Sequence, residues 1–467
     1  GTVQAGAVFA CDYSTACTNS SKGWCKQQLV EYRSQKEFQQ PLDPDDRALR
    51  KVNRYGKDAQ LLGTVVASSV IKPNISGKAV ACAPLKRYSN AAYTVGECFV
   101  LDENLNLYSS ITTCLSNSLS RTARHNDYGS CMEGFSAFVD SYKPADGSLS
   151  SIVITGLPGA RKWTGGVMAK TFPGDLFGHS KEAYTMDVDG VYPNIQAHDY
   201  LGYSVTRGHY GFWYENGENC TIAAGATRLH VHGSVVFLPL RLGTTSPGEL
   251  NLTEDTFFLD GNHLGSGFGY AVATIDLNND NFDDLIVGAP FEYSGKPGEG
   301  GAIYIYFSQG KRRSPHQSHK VFHQPIRIVG NGIYSQFGAS IAPLGNIDGD
   351  AEHLNDFAVG APYADGGGAV YLFSGAKTHK EFNTVPMQEI YGKSFTSLLP
   401  ELQKLKSFGF SLFGGVDFDS NGYNDLVVGA IASDAVFLLR AKPVINVITW
   451  HKLNTAKIMI KKDTCPE

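Results

Sequence analysis

Chemistry in this chain concentrates in three short acidic stretches. The first, DLNNDNFDD, places Asp276, Asn278, Asp280 and Asp284 at positions 1, 3, 5 and 9, with the Phe282 carbonyl at 7. The stretch DFDSNGYND puts Asp417, Asp419, Asn421 and Asp425 in the same places, with the Tyr423 carbonyl between. Alternate residues of a tight loop can turn their oxygens inward. Such a donor set suits a hard cation, since calcium takes six to eight oxygens at about 2.3–2.6 Å. Left without a cation, carboxylates so close together would repel. Neither stretch has the Glu at position 12 that closes an EF-hand, and both fall in expected β-hairpins. In the third stretch, NIDGDAEHLND, Asn346, Asp348 and Asp350 keep the pattern while the last carboxylate, Asp356, comes two residues late. That loop must bulge, or a water must replace a ligand. The expectation is three calcium sites, with the span 206–219, which has no such ladder, metal-free.

A repeat must position these loops. A bulky residue, a glycine and a small strand recur as LLGTVV, MEGFSA, YLGYSV, FGYAV, FGASI and FGFSL, with glycines at 63, 134, 202, 269, 338 and 409. The period is close to 70 residues throughout. A second strand follows each phrase (AVACAPL, SIVITGLPG, CTIAAGA, DLIVGAP, DFAVGAP, DLVVGAI), and in most units a third, such as GGAIYIYF and GGAVYLF. These apolar, β-branched runs punctuated by glycine read as buried strands. No long stretch keeps a helical period. Units that cannot bury their own faces pack against neighbours, and four-stranded units repeated in a ring form a propeller whose closure protects the sheet edges. A solenoid fits poorly, because its repeats are shorter. The opening AGAVFACD matches a third strand whose first two strands do not precede it. The expected fold is therefore all-β: a seven-bladed β-propeller of four-stranded antiparallel blades, the first blade truncated at its N-terminal side.

Composition narrows the function classes. The chain has 467 residues, 51 glycines, 23 tyrosines and 5 methionines, as many short strands and tight turns require. Its net charge of −5 gives no electrostatic case for nucleic acid or an anionic membrane. No apolar run reaches the ~18–20 residues that span a bilayer. Nine cysteines include no C-x-x-C pair, and sequons stand at Asn19, Asn74, Asn219 and Asn251, which favours an oxidising, extracellular setting. Neither G-x-S-x-G nor H-E-x-x-H occurs, and His316, His319 and His323 read as part of a solvated loop, so the chain is not expected to be an enzyme.

The combination FG-x-S, D-x-N-x-D and V-G-A-P resembles the FG-GAP repeat. With calcium loops in the later units and the closing phrase AKPVINV (441–447), nearly the whole chain resembles the head of an integrin alpha subunit without an inserted I domain. The resemblance implies a propeller over residues 1–447 and the start of an Ig-like thigh domain over 448–467. It implies a cell-surface adhesion receptor that pairs with a beta subunit and binds extracellular-matrix protein, anchored through C-terminal parts as a single-pass protein. GECFVLDENLNL (96–107) and calcium in the last three units look closest to the laminin-receptor branch. An Arg-Gly-Asp-type receptor and a secreted non-integrin FG-GAP scaffold or lectin are the alternatives.

In that family, aromatics after the repeat glycines form a cup for a basic side chain of the beta subunit. Here those residues are Phe135, Tyr203, Tyr270 and Phe410; a cation over several rings gains ~0.5–2 kcal/mol per good contact when desolvated. Ligand selection is expected in the 169–199 connection with its Asp187 and Asp189, and at Asp199 beside YLGYSV, although a solvated turn is the better explanation of the first two. Proximity and the family pattern pair Cys82 with Cys98 and Cys114 with Cys131. Cys11 pairs with Cys25 or Cys17, Cys25 being preferred. Cys220 is read as a buried thiol, and Cys465 as seeking a partner beyond residue 467.

Overall fold

The computed structural model of the chain describes residues 7–11, 25–28, 60–69, 77–87, 94–115, 130–142, 150–173, 182–184, 194–211, 221–240, 248–249, 256–293, 295–296, 298–310, 321–350, 352–396 and 405–442. Strands β1 (Val8–Cys11) and β2 (Cys25–Gln28) pair as an antiparallel ribbon. The first blade is β3 (Val65–Ser68), β4 (Ala79–Ala83), β5 (Glu97–Leu101) and β6 (Leu107–Ile111). The second holds β7 (Ser136–Tyr142), β8 (Ser150–Gly156), β9 (Val167–Pro173) and β10 (Glu182–Tyr184). The third holds β11 (Leu201–Gly208), β12 (Thr221–Ala226), β13 (Ser234–Pro239) and, after β14 (Gly248–Glu249), β15 (Phe257–Asp260); β14 itself pairs in parallel with β10 as a fifth strand of the second blade. The fourth is β16 (Ala271–Ile275), β17 (Asp284–Ala289), β18 (Glu299–Tyr306) and β19 (Ile326–Asn331). The fifth is β20 (Ser340–Gly345), β21 (Asp356–Ala361), β22 (Ala369–Phe373) and β23 (Gln388–Tyr391). The sixth has three strands, β24 (Phe408–Val416), β25 (Asp425–Ala430) and β26 (Ala435–Leu439).

The expectation of seven blades is corrected by this topology: among the described residues the propeller has six. The repeat count treated AGAVFACD as the end of a further unit, but among the described residues its strand pairs with β2 alone. A blade needs an inner strand bearing the repeat glycine and a buried second strand, and the ribbon has neither. The blades are also not uniformly four-stranded, since the second has five strands and the sixth three. The three acidic loops thus fall in the fourth, fifth and sixth blades. Residues 448–467, assigned to a following domain, lie outside the described residues.

Apolar side chains collect between blades rather than within them. One core joins Ile152, Ile154 and Val167 of the second blade to Ile222, Ala224 and Val236 of the third. Another joins Ile286, Ile303 and Ile305 of the fourth to Phe357, Val359 and Tyr371 of the fifth. Each second strand from the third blade to the fifth is covered on both faces, with every residue of β12, β17 and β21 buried. That is why these strands read as unbroken apolar text rather than alternating.

The blade seam explains the repeat phrase itself. A Cβ on Gly288, the glycine of VGAP, would come within 2.0 Å of the Gly338 carbonyl oxygen, the glycine of the next FG phrase. Gly338 has φ +91, a conformation a side chain resists. The serine two residues beyond the glycine then caps the seam: Ser204 Oγ donates to the Gly269 carbonyl at 2.7 Å and Ser340 Oγ to that of Gly409 at 2.8 Å. FG, the serine and GAP are therefore three parts of one inter-blade contact.

Candidate metal centres and the aromatic row

The 276–284 loop joins β16 to β17 and is folded around its own carboxylates. Asp276 accepts the backbone N–H of Asp280 (3.1 Å) and Asn281 (2.8 Å), and Asp280 accepts that of Phe282 (2.8 Å). Asp284, wholly buried, accepts from Leu277 N at 2.9 Å and from Ser308 N, just beyond β18, at 2.7 Å. The 417–425 loop repeats this wiring. Asp417 accepts from Asn421 N (3.1 Å) and Gly422 N (2.7 Å), and the Asn421 side-chain oxygen from Tyr423 N (2.8 Å). Asp425 accepts from Phe418 N (2.9 Å) and Ala441 N (2.8 Å). Asp419 is the member whose Oδ1 is buried with no hydrogen-bond partner.

These donors fit a cation. The carboxylate oxygens of Asp417, Asp419 and Asp425 lie within 4.8 Å of one another. Burial, opposed by its backbone hydrogen bonds and reinforced by Asp280 and Asp276, pushes Asp284 well above the usual carboxylate range. Burial also raises Asp276. All the side-chain donors are hard oxygens, as calcium prefers.

In the 346–356 loop the delayed Asp356 accepts from Ile347 N (2.8 Å) and Gly375 N (3.1 Å). The Asn346 side-chain oxygen accepts from Gly349 N at 2.8 Å, and Asp350 accepts from Leu354 N at 3.0 Å. Ser374 Oγ donates to Asp348 at 2.9 Å. Burial and the charge of Asp348, against the Ile347 hydrogen bond, lift Asp356 to about 6.

Sequence reasoning passed over the residue just before each last carboxylate. Asn355 Nδ2 donates to the Asp276 carbonyl at 2.6 Å, and Asn424 Nδ2 to the Leu344 carbonyl at 2.7 Å. Asp283 accepts from His209 N at 2.7 Å. In all three loops this position reaches back to the preceding blade. The signal was present as DD, ND and ND, a polar residue repeated at one phase, but its partner lies some 70–80 residues upstream.

The structure brings three of the four expected cup residues together. Ring centroids are 4.8 Å apart for Phe135 and Tyr203 and 4.9 Å for Tyr203 and Tyr270; Phe291 meets Tyr270 edge-on at 5.5 Å. Burial, followed by the neighbouring Tyr270, holds the Tyr203 hydroxyl far above its ordinary range. Phe410 stands apart from this row, 38% exposed on β24, and Phe291 extends it instead. Just beyond the second strands of successive blades, Phe291, Tyr363 and Ile431 are exposed.

Asp199 is tied into its own turn, accepting from Gln196 N at 2.5 Å, with Arg228 over the neighbouring Tyr200 ring. Asp187, Asp189, Cys17, Cys220, Cys465 and the four sequon asparagines lie outside the described residues. Disulfides join Cys82 to Cys98 on adjacent strands and Cys114 to Cys131. The first has a structural consequence, since a Cβ on Gly134 would meet Cys98 Sγ at 2.2 Å. Cys11 and Cys25 stand opposite each other in the ribbon register.

A family model described as FG-GAP repeat matches residues 268–306. The chain is similar to Integrin alpha ina-1 of Caenorhabditis elegans, with 46% identity over 100% of this chain and 40% of that protein. It is similar to Integrin alpha-7 of Rattus norvegicus at 32% identity, covering 89% of the chain and 34% of the relative. Integrin alpha-8 of Homo sapiens shares 29% identity over 91% of the chain and 37% of its own length. The chain thus spans about two fifths or less of these relatives.

Proposed function

The chain is a homologue of integrin alpha subunits carrying an FG-GAP repeat, and from that premise we propose that it is the ligand-binding head of a cell-surface adhesion receptor. It works as a heterodimer with a beta subunit, binds an extracellular-matrix protein and is not an enzyme. The observation that carries this reading is the contiguous row Phe135–Tyr203–Tyr270–Phe291 on such a homologue. Packed aromatic faces need no metal or nucleophile to hold a cation, and a desolvated guanidinium or ammonium is their natural guest. The exposed Phe291, Tyr363 and Ile431 give the beta subunit an apolar landing. Replacing Tyr203 and Tyr270 together by Ala is expected to abolish co-purification with a beta subunit while calcium still raises the melting temperature. Normal pairing by that double variant would overturn the cup.

Calcium is the resident ion of this reading. Asp276, Asn278, Asp280, the Phe282 carbonyl and Asp284 would hold one ion; Asp417, Asp419, Asn421, the Tyr423 carbonyl and Asp425 a second. Asn346, Asp348, Asp350 and Asp356 would hold a third. Bound calcium supplies charge neutralisation, and the loops act as struts: filling them stabilises the native state by mass action, while the residue before each last Asp holds the loop to the preceding blade.

Among matrix ligands a laminin-type protein is favoured, on GECFVLDENLNL. This phrase covers β5 and the turn that leads into β6, where Asp102 accepts from Asn104 N and Asn106 N at 2.9 and 2.8 Å. The 169–199 span expected to be a connection contains most of β9 and all of β10, so the site of ligand choice is proposed in residues 185–199 that follow β10, with Asp187, Asp189 and Asp199. Adhesion of the paired ectodomain to laminin and to an Arg-Gly-Asp protein tests this; preference for the latter reverses the assignment, and exchange of residues 185–199 should transfer the preference.

A further inference from the structure

One buried acid of the fourth blade belongs to none of the candidate metal centres. Glu292 directly follows Phe291, is 3% exposed and gathers groups from three elements. The Tyr304 hydroxyl on β18 donates to its Oε2 at 2.8 Å, Arg327 Nε on β19 donates to Oε1 at 2.6 Å, and His263 Nδ1, in the link from β15 to β16, stands 3.1 Å from Oε1. The backbone of the turn is held too. Phe291 N donates to the Ser266 carbonyl in that same link at 3.0 Å, and Gly301 N to the Glu292 carbonyl at 3.1 Å. Neighbouring side chains therefore part company: Glu292 goes inward, while Phe291, 49% exposed, meets Tyr270 edge-on, and Tyr293 beyond it is 57% exposed. The blade itself does not require an acid here. In the fifth blade the matching turn reads GAPYA, with buried Ala364 at this phase, and the residue across from Tyr371 is Glu389 where the residue across from Tyr304 is Arg327.

Taking a carboxylate out of water is costly unless it is paired and hydrogen-bonded, and a buried ion pair adds little net stability over apolar packing. What such a network does add is one fixed arrangement, because only one placement of the turn brings the carboxylate to Tyr304 and Arg327 together. We propose that Glu292 is a positioning residue for partner recognition: its carboxylate locks the β17–β18 turn so that Phe291 completes the aromatic row against Tyr270. Resting on the reading of that row as the cup for the beta subunit, this role falls to a buried residue outside the row. A ring already held in place loses less freedom on binding, and that is where Glu292 raises affinity for the partner.

The experiment is a double-mutant cycle on the affinity of the full chain for an integrin beta-subunit ectodomain, in calcium-containing buffer, with the melting temperature read on every variant. Phe291→Ala should weaken pairing by about ten-fold, as loss of one ring around a desolvated cation implies. Glu292→Gln keeps the shape and removes the charge, and pairing should weaken by roughly three- to ten-fold. In the Phe291→Ala background the same substitution should cost less than about two-fold, since a residue acting through Phe291 then has nothing left to position. Tyr304→Phe removes one hydrogen bond and keeps the ring. It should act in the same direction by about two- to three-fold, and it carries the test if Glu292→Gln folds poorly. Equal losses with and without Phe291 would overturn the proposal, leaving Glu292 a residue of the fold alone. So would full-strength pairing by both Glu292→Gln and Tyr304→Phe while Phe291→Ala pairs weakly, a result that leaves the cup standing. Full-strength pairing by Phe291→Ala would overturn the fourth ring of the cup and this role together.

Discussion

The 276–284 and 346–356 loops sit at the same place in adjacent blades, yet one spans nine residues and the other eleven. Their ends are alike. Asp284 and Asp356 each accept one N–H from the second residue of their own loop and one from just beyond the third strand of the blade. The middles differ. Asp276 gathers the N–H groups of residues 280 and 281, whereas Asn346 accepts from Gly349, and Asp350 is engaged by Leu354. The two extra residues are absorbed where His353 turns to φ +53 and Leu354 is buried. Strand register fixes where the last carboxylate stands; loop length decides only how the other donors reach the ion.

The harshest way to break this comparison is to remove the shared anchors. Asp284→Ala with Asp425→Ala leaves two backbone N–H groups unpartnered in each loop, at roughly 1–3 kcal/mol per unsatisfied buried group. Calorimetry in calcium should show a large fall in melting temperature, and most of the difference between calcium and chelator should vanish. Asp356→Ala alone should remove less of that difference. If it removes as much, the two loops hold the ion equivalently despite their different lengths.

Deleting Glu352 and His353 restores a nine-residue spacing. Calcium affinity of that loop is expected to rise by about an order of magnitude, as ligand geometry tunes such sites; terbium luminescence on a chain carrying only this loop intact would read it.

Acidity sharpens the contrast further. With the folded-state pKa of Asp356 lifted to about 6 from an ordinary 3.8, the metal-free fold binds an extra proton between those values. Its contribution to stability is therefore full below about pH 4 and lost as pH rises through about 6. Calcium needs the deprotonated carboxylate, so the melting shift on adding calcium should grow over the same window. Asp356→Asn should flatten the metal-free profile.

The smallest effect belongs to the braces. Asn355→Ala and Asn424→Ala each lose one hydrogen bond to the preceding blade, worth about 1 kcal/mol by urea unfolding, with ligand sets untouched.

Much of the architecture was legible because it is written in local spacing. The repeat glycines, the VGAP strands and the carboxylate ladders each recur at one phase, and each corresponds to a specific contact at a seam or loop. Outer strands were harder to read: β19 is only partly buried, β23 has two of its four residues exposed, and both carry mixed text, IRIVGN and QEIY. The blade count misled because AGAVFACD has the composition of a third strand without the glycine-bearing inner strand a blade requires. Phe291 escaped notice because it follows VGAP rather than FG, and only the pairing of β16 with β17 within the fourth blade carries it to Tyr270. Asn355 and Asn424 were hidden because their partners lie in the preceding blade.

Titrating the metal-free chain with calcium in a calorimeter tests the central claim most directly. Three ions should bind per chain, two alike and a third more weakly, with the melting temperature climbing as they fill. A chain that takes up no calcium, or melts at one temperature whether loaded or stripped, would contradict it.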